Sequence, residues 1–294
     1  MTTSSETSTV GLARVQTGDR PLVVLLTPGH DIAEAATVDG TLFDDLPELL
    51  VAAAGDFAGI RPGPTVSFRD TELLPPVGRP RKIVCVGQNY ADHVAETGRT
   101  TRPPYPDLFP KWHTALAAPD AVIELPDESD RIDYESELAV VIGRPCRRIR
   151  PEEADGVVFG YTAANDGSVR DFQFHTQGRT AGKAWDGMTP LGPVIVPAAR
   201  LGGARPDLRL RGYFNGKCVQ DSRTSRMLFT IPELLSYLTT FMTLEPGDIV
   251  LTGTPAGVGI AVTPPRYLHH GDVFEVQIEG IGALRNRYRK EQPR

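Results

Sequence analysis

The 294-residue sequence reads as an α+β protein dominated by mixed or antiparallel sheet. Short apolar runs bounded by turn residues recur along most of the chain, which is the pattern of strands. The 29 glycines and 26 prolines supply more turn positions than a helical bundle uses. Clear amphipathic helices are too few to link successive strands of an all-parallel βαβ fold.

The elements follow in order. Residues 1–8 are a Thr/Ser-rich tail. Val10–Val15 and Leu22–Leu26 form a strand pair joined through Thr17-Gly18-Asp19. Phe43, Leu46, Leu50 and Ala53 recur at helical spacing before Gly55. Five prolines between Ile60 and Pro80 mark a boundary, dividing the chain into a small N-terminal α/β domain (1–78) and a larger domain (79–294). Beyond it, Ile83–Val86, Leu138–Ile142 and Val157–Tyr161 are buried-type strand runs. Leu208 to Arg211 alternates with period two, and Asn215-Gly216 is a type I′ hairpin signal. Ile249–Leu251, Val273–Ile278 and Ala283–Tyr288 complete the strands. One helix is clear: Ile231, Leu234, Leu235, Leu238, Phe241 and Met242 form a stripe, behind a Thr230/Glu233 capping box with Pro232 in the first turn.

Composition narrows the function. Acidic residues outnumber basic ones 37 to 31, so a grip on nucleic-acid phosphates is not expected. Cys85, Cys146 and Cys218 are odd in number and widely spaced, which indicates neither a disulfide framework nor a cysteine zinc site. The N-terminus lacks the basic start and apolar run of a signal peptide, and no apolar stretch is long enough to span a bilayer. The expectation is a soluble cytoplasmic protein without membrane contact.

Five segments could carry chemistry. In Asp133-Tyr134-Glu135-Ser136-Glu137, a continuous strand would place all three acids on one face. Taken alone, that pattern fits a solvated face better, but the strand runs on into four apolar residues, where unpaired carboxylates are costly. Phe159 to Asp166 is a mostly apolar strand ending in one acid, which alone could be a turn residue. Two glutamates at i, i+2 with an aspartate from a neighbouring strand would make an all-oxygen site suited to Mg²⁺ or Mn²⁺. Gly178 to Lys183 is one residue too short for a phosphate loop, and Ala184 replaces the required hydroxyl. Thr252 to Gly259 follows a strand, and its glycines either let backbone approach an anionic ligand or simply make a tight connection. In Gly87 to Glu96, a short helix would put His93 and Glu96 on one face, as a carboxylate-oriented imidazole or as a surface pair.

Together these segments resemble the fumarylacetoacetate hydrolase family from about Arg81 to Tyr288. The resemblance rests on GQNYADH, DYESELAVVIG, GYTAANDGSVRDFQ, GKAWD with PLGP, FMTLEPGDIVLTGTPAGVG, and PPRYL with GDVFEVQIEGIG. It implies a mixed β-roll or sandwich-like catalytic domain and a homodimer. It also implies Mg²⁺ or Mn²⁺ on Glu135, Glu137 and Asp166, substrate contacts from Arg170, Gln173 and Thr254, and catalytic roles for His93, Glu96 and Lys183. Departures lie at Gly167, at Gly178 and in the bulky segment Phe109–His113. The activity implied is hydrolytic cleavage of a C–C bond in an acylpyruvate-like 2,4-dioxo acid through a metal-bound enolate. Decarboxylation of an oxaloacetate-like acid and isomerisation of a hydroxydienoate are the alternatives, and an inactive ligand-binding protein is a more remote one. The partner expected is a small keto acid.

Overall fold

The computed structural model describes residues 11–18, 20–26, 32–67, 71–96 and 102–291. The first strands are β1 (Gly11–Thr17), β2 (Arg20–Leu26), β3 (Ile32–Val38), β4 (Thr41–Leu42), β5 (Arg61–Ser67), β6 (Thr71–Leu74) and β7 (Ile83–Gly87). The middle of the chain adds β8 (Asp107–Lys111), β9 (Leu116–Ala117), β10 (Val122–Leu125) and β11 (Ile132–Asp133). Next come β12 (Ser136–Ile142), β13 (Val158–Asn165), β14 (Ser168–Val169) and β15 (Thr189–Pro197). The last are β16 (Arg209–Phe214), β17 (Lys217–Arg223), β18 (Ile249–Leu251), β19 (Val273–Ile278) and β20 (Gly282–Lys290). The helices are short: α1 (Leu46–Ala52), α2 (Ala91–Glu96), α3 (Arg170–Gln173), α4 (Thr180–Lys183) and α5 (Ile231–Phe241).

Among the described residues, a thirteen-stranded sheet follows the path β4-β3-β2-β1-β15-β13-β12-β18-β7-β8, with β5, β6 and β9 paired off it to β3, β1 and β15. Most neighbours are antiparallel, whereas β18 and β7 run parallel. A five-stranded sheet, β10-β20-β19-β16-β17, is the second layer, and β11 pairs with β14 separately. This is the mixed, sheet-dominated α+β architecture that the sequence predicts.

Alternate residues of β12 divide between two cores. Leu138, Val140 and Ile142 join Leu234, Leu235 and Leu238 of α5 and Leu210, Phe274 and Val276 of the second sheet. Ala139 and Val141 join Leu46, Leu49 and Leu50 of α1. Burial on both faces explains why this strand reads as an unbroken apolar run.

Local signals explain most boundaries. The expected helix from Phe43 begins only at Leu46, because the Asp45 carboxylate accepts the Leu46 N–H at 2.8 Å and caps it there. The Thr230/Glu233 capping box opens α5, and Asn215 and Gly216 both have positive φ in the β16–β17 turn. β1 and β2 form the expected strand pair, antiparallel with Thr17 opposite Arg20; Asp19 of the expected connection lies outside the described residues. Two strands, β5 and β6, lie in the proline-rich stretch that carried no strand signal. Within the sheet β5 pairs with β3, and an edge position tolerates prolines that cannot donate. The N-terminal strands meet the rest of the sheet where Leu12 lies opposite Ile195.

The three cysteines are unpaired, Cys85 and Cys146 buried and Cys218 exposed. No helix among the described residues is long and apolar enough to cross a membrane.

Candidate active site

The site forms where β12 begins and β13 ends. Antiparallel pairing sets Ser136 opposite Asn165 and Glu137 opposite Ala164. The Asp166 N–H donates to the Glu135 carbonyl at 2.9 Å, and the Asn165 side chain accepts the Glu135 N–H at 2.9 Å. These bonds bring Glu135, Glu137 and Asp166 together, with ligand-type oxygens all within 4.8 Å of one another and all three residues buried.

The continuous three-acid strand does not form. Pairing stops after Asp133 and resumes at Ser136. Asp133 instead takes the Arg170 Nε at 2.7 Å and the N–H groups of Gly259 and Ile260 at 2.7 and 2.9 Å. It is the counter-ion and anchor of Arg170, not a member of the cluster.

Cations surround the carboxylates. Lys183 Nζ lies 2.8 Å from both Glu135 Oε2 and Asp166 Oδ2. Arg170 Nη1 pairs with Glu135 Oε1 at 2.8 Å and donates to Gln173 Oε1 at 2.9 Å. Its Nη2 is buried with no hydrogen-bond partner. Lys183 and Arg170 share this small volume because α3 and α4 pack closely: a Cβ on Gly182 would lie 2.4 Å from the Gln173 backbone. Only glycine permits that approach.

Lys111 was not singled out by the sequence, although the bulk of its segment was. Its Nζ lies 2.6 Å from Asp166 Oδ1, with both side chains fully buried, and it donates to Thr189 Oγ1 at 2.6 Å. Burial of a lysine on an edge-paired strand follows from a distant carboxylate, and no local pattern announces it.

Electrostatics separates the two glutamates. Burial opposes ionisation of Glu135, but Lys183 and Arg170 outweigh it and hold its carboxyl far below the usual range. Burial pushes Glu137 up, and the neighbouring charges of Asp166 and Glu135 push it further. Among the described residues no cationic side chain pairs with Glu137, whose Oε2 accepts the Gly253 N–H at 2.8 Å. Burial lowers the Lys183 pKa, yet Asp166 and Glu135 reverse this and keep it protonated. A buried all-oxygen cluster with one carboxylate lacking a cation fits a hard divalent ion such as Mg²⁺ or Mn²⁺.

Above the cluster lies a cavity of about 400 Å³. Glu135, Arg170, Gln173, Lys183, Thr254, His93 and Glu96 all line it, so five segments distant in the sequence converge there. Thr254 Oγ1 accepts from the Gln220 amide at 2.8 Å, which leaves its own proton to donate. His93 Nδ1 and Glu96 Oε2 are 3.1 Å apart. Glu96 Oε1 also accepts the Gly257 N–H at 2.8 Å, fastening α2 to the glycine-rich loop after β18.

Known proteins resemble this chain over most of its length. Residues 82–289 match the family model described as fumarylacetoacetate hydrolase, C-terminal. The mitochondrial oxaloacetate tautomerase fahd2 of Xenopus laevis is 40% identical over 223 residues, 75% of this chain and 69% of that protein. The oxaloacetate tautomerase YisK of Bacillus subtilis is 36% identical over 281 residues, 91% of this chain and 93% of that one. Among solved structures, 5-carboxymethyl-2-hydroxymuconate delta-isomerase from Mycobacterium smegmatis superposes with a TM-score of 0.77 at 33% identity. It covers 96% of this chain and 100% of its own.

Proposed function

The chain belongs to the fumarylacetoacetate hydrolase family, and from that premise we propose that it is a divalent-metal-dependent isomerase or tautomerase. Its substrate class would be a 2-oxo acid or the matching enol or dienol. The observation that carries this reading is the buried carboxylate cluster opening into a cavity lined by Lys183, Arg170 and the His93–Glu96 pair. A divalent ion held by Glu135, Glu137 and Asp166 would supply Lewis-acid polarisation of a carboxylate–carbonyl pair.

The chain's own residues divide the remaining work. Arg170, with its unpaired Nη2, receives the substrate carboxylate together with Gln173 and the Thr254 hydroxyl. Lys183, protonated and fixed by two carboxylates, stabilises the negative charge that develops on the 2-oxo oxygen. Glu96 accepts a hydrogen bond from the His93 Nδ1–H, so that Nε2 is the base. His93 then removes a proton from the carbon next to the 2-oxo group, and a proton that has exchanged with solvent on the imidazole is delivered to oxygen or to a more distant carbon. The only σ bonds broken and formed are C–H and O–H, and the double bonds shift between C=O and C=C, which is why tautomerisation and isomerisation need no further reactant.

Hydrolysis of an acylpyruvate-like acid is the second reading. The His93–Glu96 pair that favours it could equally deprotonate a water. NMR in D₂O, with Mn²⁺- or Mg²⁺-loaded protein, distinguishes the reactions on oxaloacetate, a hydroxydienoate and an acylpyruvate. Deuterium entry or a shifted double bond without loss of carbon is the expected result. Cleavage of the acylpyruvate alone would establish the hydrolase instead, and loss of CO₂ from oxaloacetate a decarboxylase. No turnover of any of the three would remove this class of function and leave a binding protein.

A further inference from the structure

Gln220 does not line the cavity, yet it reaches the site from the second sheet. It lies on β17, 1% exposed, and Gly212 of β16 is its cross-strand partner. A Cβ on Gly212 would lie 2.5 Å from Ser136 Oγ and 3.0 Å from Gln220 Oε1. Glycine there leaves the room in which the amide meets the start of β12. The amide oxygen accepts the Ser136 N–H at 2.9 Å, at the residue between Glu135 and Glu137. The amide nitrogen donates to the Pro255 carbonyl at 2.9 Å and to Thr254 Oγ1 at 2.8 Å. One planar amide therefore joins the strand of the carboxylate cluster to the loop that carries Thr254.

The direction of each bond is forced. A backbone N–H can only donate and a carbonyl can only accept. Turning the amide over would break the bonds to Ser136 and Pro255 together. With the nitrogen so fixed, one of its two protons serves Pro255 and the other serves Thr254 Oγ1. That commits the Thr254 oxygen as an acceptor on its inner side. Its own proton finds no acceptor among the described residues, and Thr254 lines the cavity. A hydroxyl without such a neighbour rotates between donating and accepting; this one is held with its proton outward.

We propose that Gln220 is a positioning residue that fixes the Thr254 hydroxyl as a one-way donor to the substrate carboxylate, and that it acts on ligand binding only through Thr254. This rests on the 2-oxo acid reading above, in which Thr254 meets that carboxylate, and adds the group that sets the hydroxyl's direction. A carboxylate offers only acceptors, and a hydroxyl already turned toward it loses little freedom on binding.

Calorimetric titration of oxalate into the full-length, Mn²⁺-saturated protein tests this in a double-mutant cycle of Thr254→Val and Gln220→Met. Oxalate presents the carboxylate and adjoining oxygen of a 2-oxo acid and has no proton to transfer from carbon. Thr254→Val should weaken oxalate at least about tenfold, the worth of a hydrogen bond to a charged group. Gln220→Met, similar in length but without the amide, should weaken it about threefold or more. In the Thr254→Val background the same change should cost nothing further. A wild-type oxalate Kd in Gln220→Met overturns the proposal. So does an equal loss from that change with and without the Thr254 hydroxyl, which is what general loosening of the site would give. Gln220→Glu keeps the shape and the Ser136 contact but has at most one proton where the amide nitrogen has two. It replaces Gln220→Met in the same cycle, under the same two criteria, if that variant does not fold. Failure of oxalate to bind wild type, or binding indifferent to Thr254→Val, would instead overturn the reading of the carboxylate site on which the proposal rests.

Discussion

Replacing Lys111 by Met should destabilise the metal-free protein more than the metal-loaded one. The Lys111 ammonium lies 2.6 Å from Asp166 Oδ1, with neither side chain exposed. Removing one member of a buried ion pair leaves the other charge uncompensated, at about 3–5 kcal/mol. Lys183 still reaches Asp166 Oδ2 at 2.8 Å, so the lower end, about 3 kcal/mol, is expected without metal. In a chain of this size that corresponds to a fall of roughly 5 °C in the thermal midpoint. A divalent ion on the cluster compensates Asp166 in place of the lost ammonium, and the destabilisation shrinks. The thermodynamic cycle then requires tighter metal binding by the variant, tenfold in Kd for each ~1.4 kcal/mol of that difference. Thermal unfolding with and without Mn²⁺, combined with calorimetric Mn²⁺ titration, measures both sides of the cycle. Equal destabilisation in both states with an unchanged metal Kd would refute the argument that Lys111 and the ion share Asp166. As a control, adding Asp166→Asn to Lys111→Met should cost less than the sum of the single changes.

The other expectations concern the base, the metal and assembly. His93→Ala should keep the fold and metal affinity but slow turnover at least roughly a hundredfold, and Glu96→Gln should show a smaller loss; near wild-type turnover by His93→Ala would remove the histidine from the mechanism. Mg²⁺ or Mn²⁺ should raise the thermal midpoint, and Asp166→Ala should lose both that shift and activity, whereas an active wild type after exhaustive chelation would contradict the metal assignment. Because the folded Glu137 carboxyl is raised above the ordinary 4.5, its contribution is complete below that value and lost as pH rises through the raised one. Stability of the metal-free protein should therefore decline across that window, and metal binding should release a proton and strengthen with pH. Light scattering should report a homodimer at micromolar concentration, and a monomer there would count against that assembly.

The His93–Glu96 pair on α2 illustrates the boundary between sequence and structure. Gly87 to Glu96 already offered a histidine and a glutamate on one helical face, and the structure brings them to 3.1 Å. Nothing in that segment discloses that Glu96 is also held by the Gly257 N–H, 161 residues away.

By itself the sequence determined what local physics controls. Period-two alternation, the Asn215-Gly216 turn and the Thr230 capping box fixed elements whose hydrogen bonds close within a few residues. Ordered motifs at Glu135, Glu137, Asp166 and Lys183 gave the candidate site, because each kept its residue types together along the chain. Strands such as β5 carried no readable pattern, since an edge position relaxes the demands that create one. Only the tertiary structure separated Asp133 from the acidic cluster and buried Lys111 against Asp166. Those outcomes depend on which charge meets which inside a low-dielectric interior. That pairing is decided by strands far apart in the chain, beyond the reach of any local spacing rule.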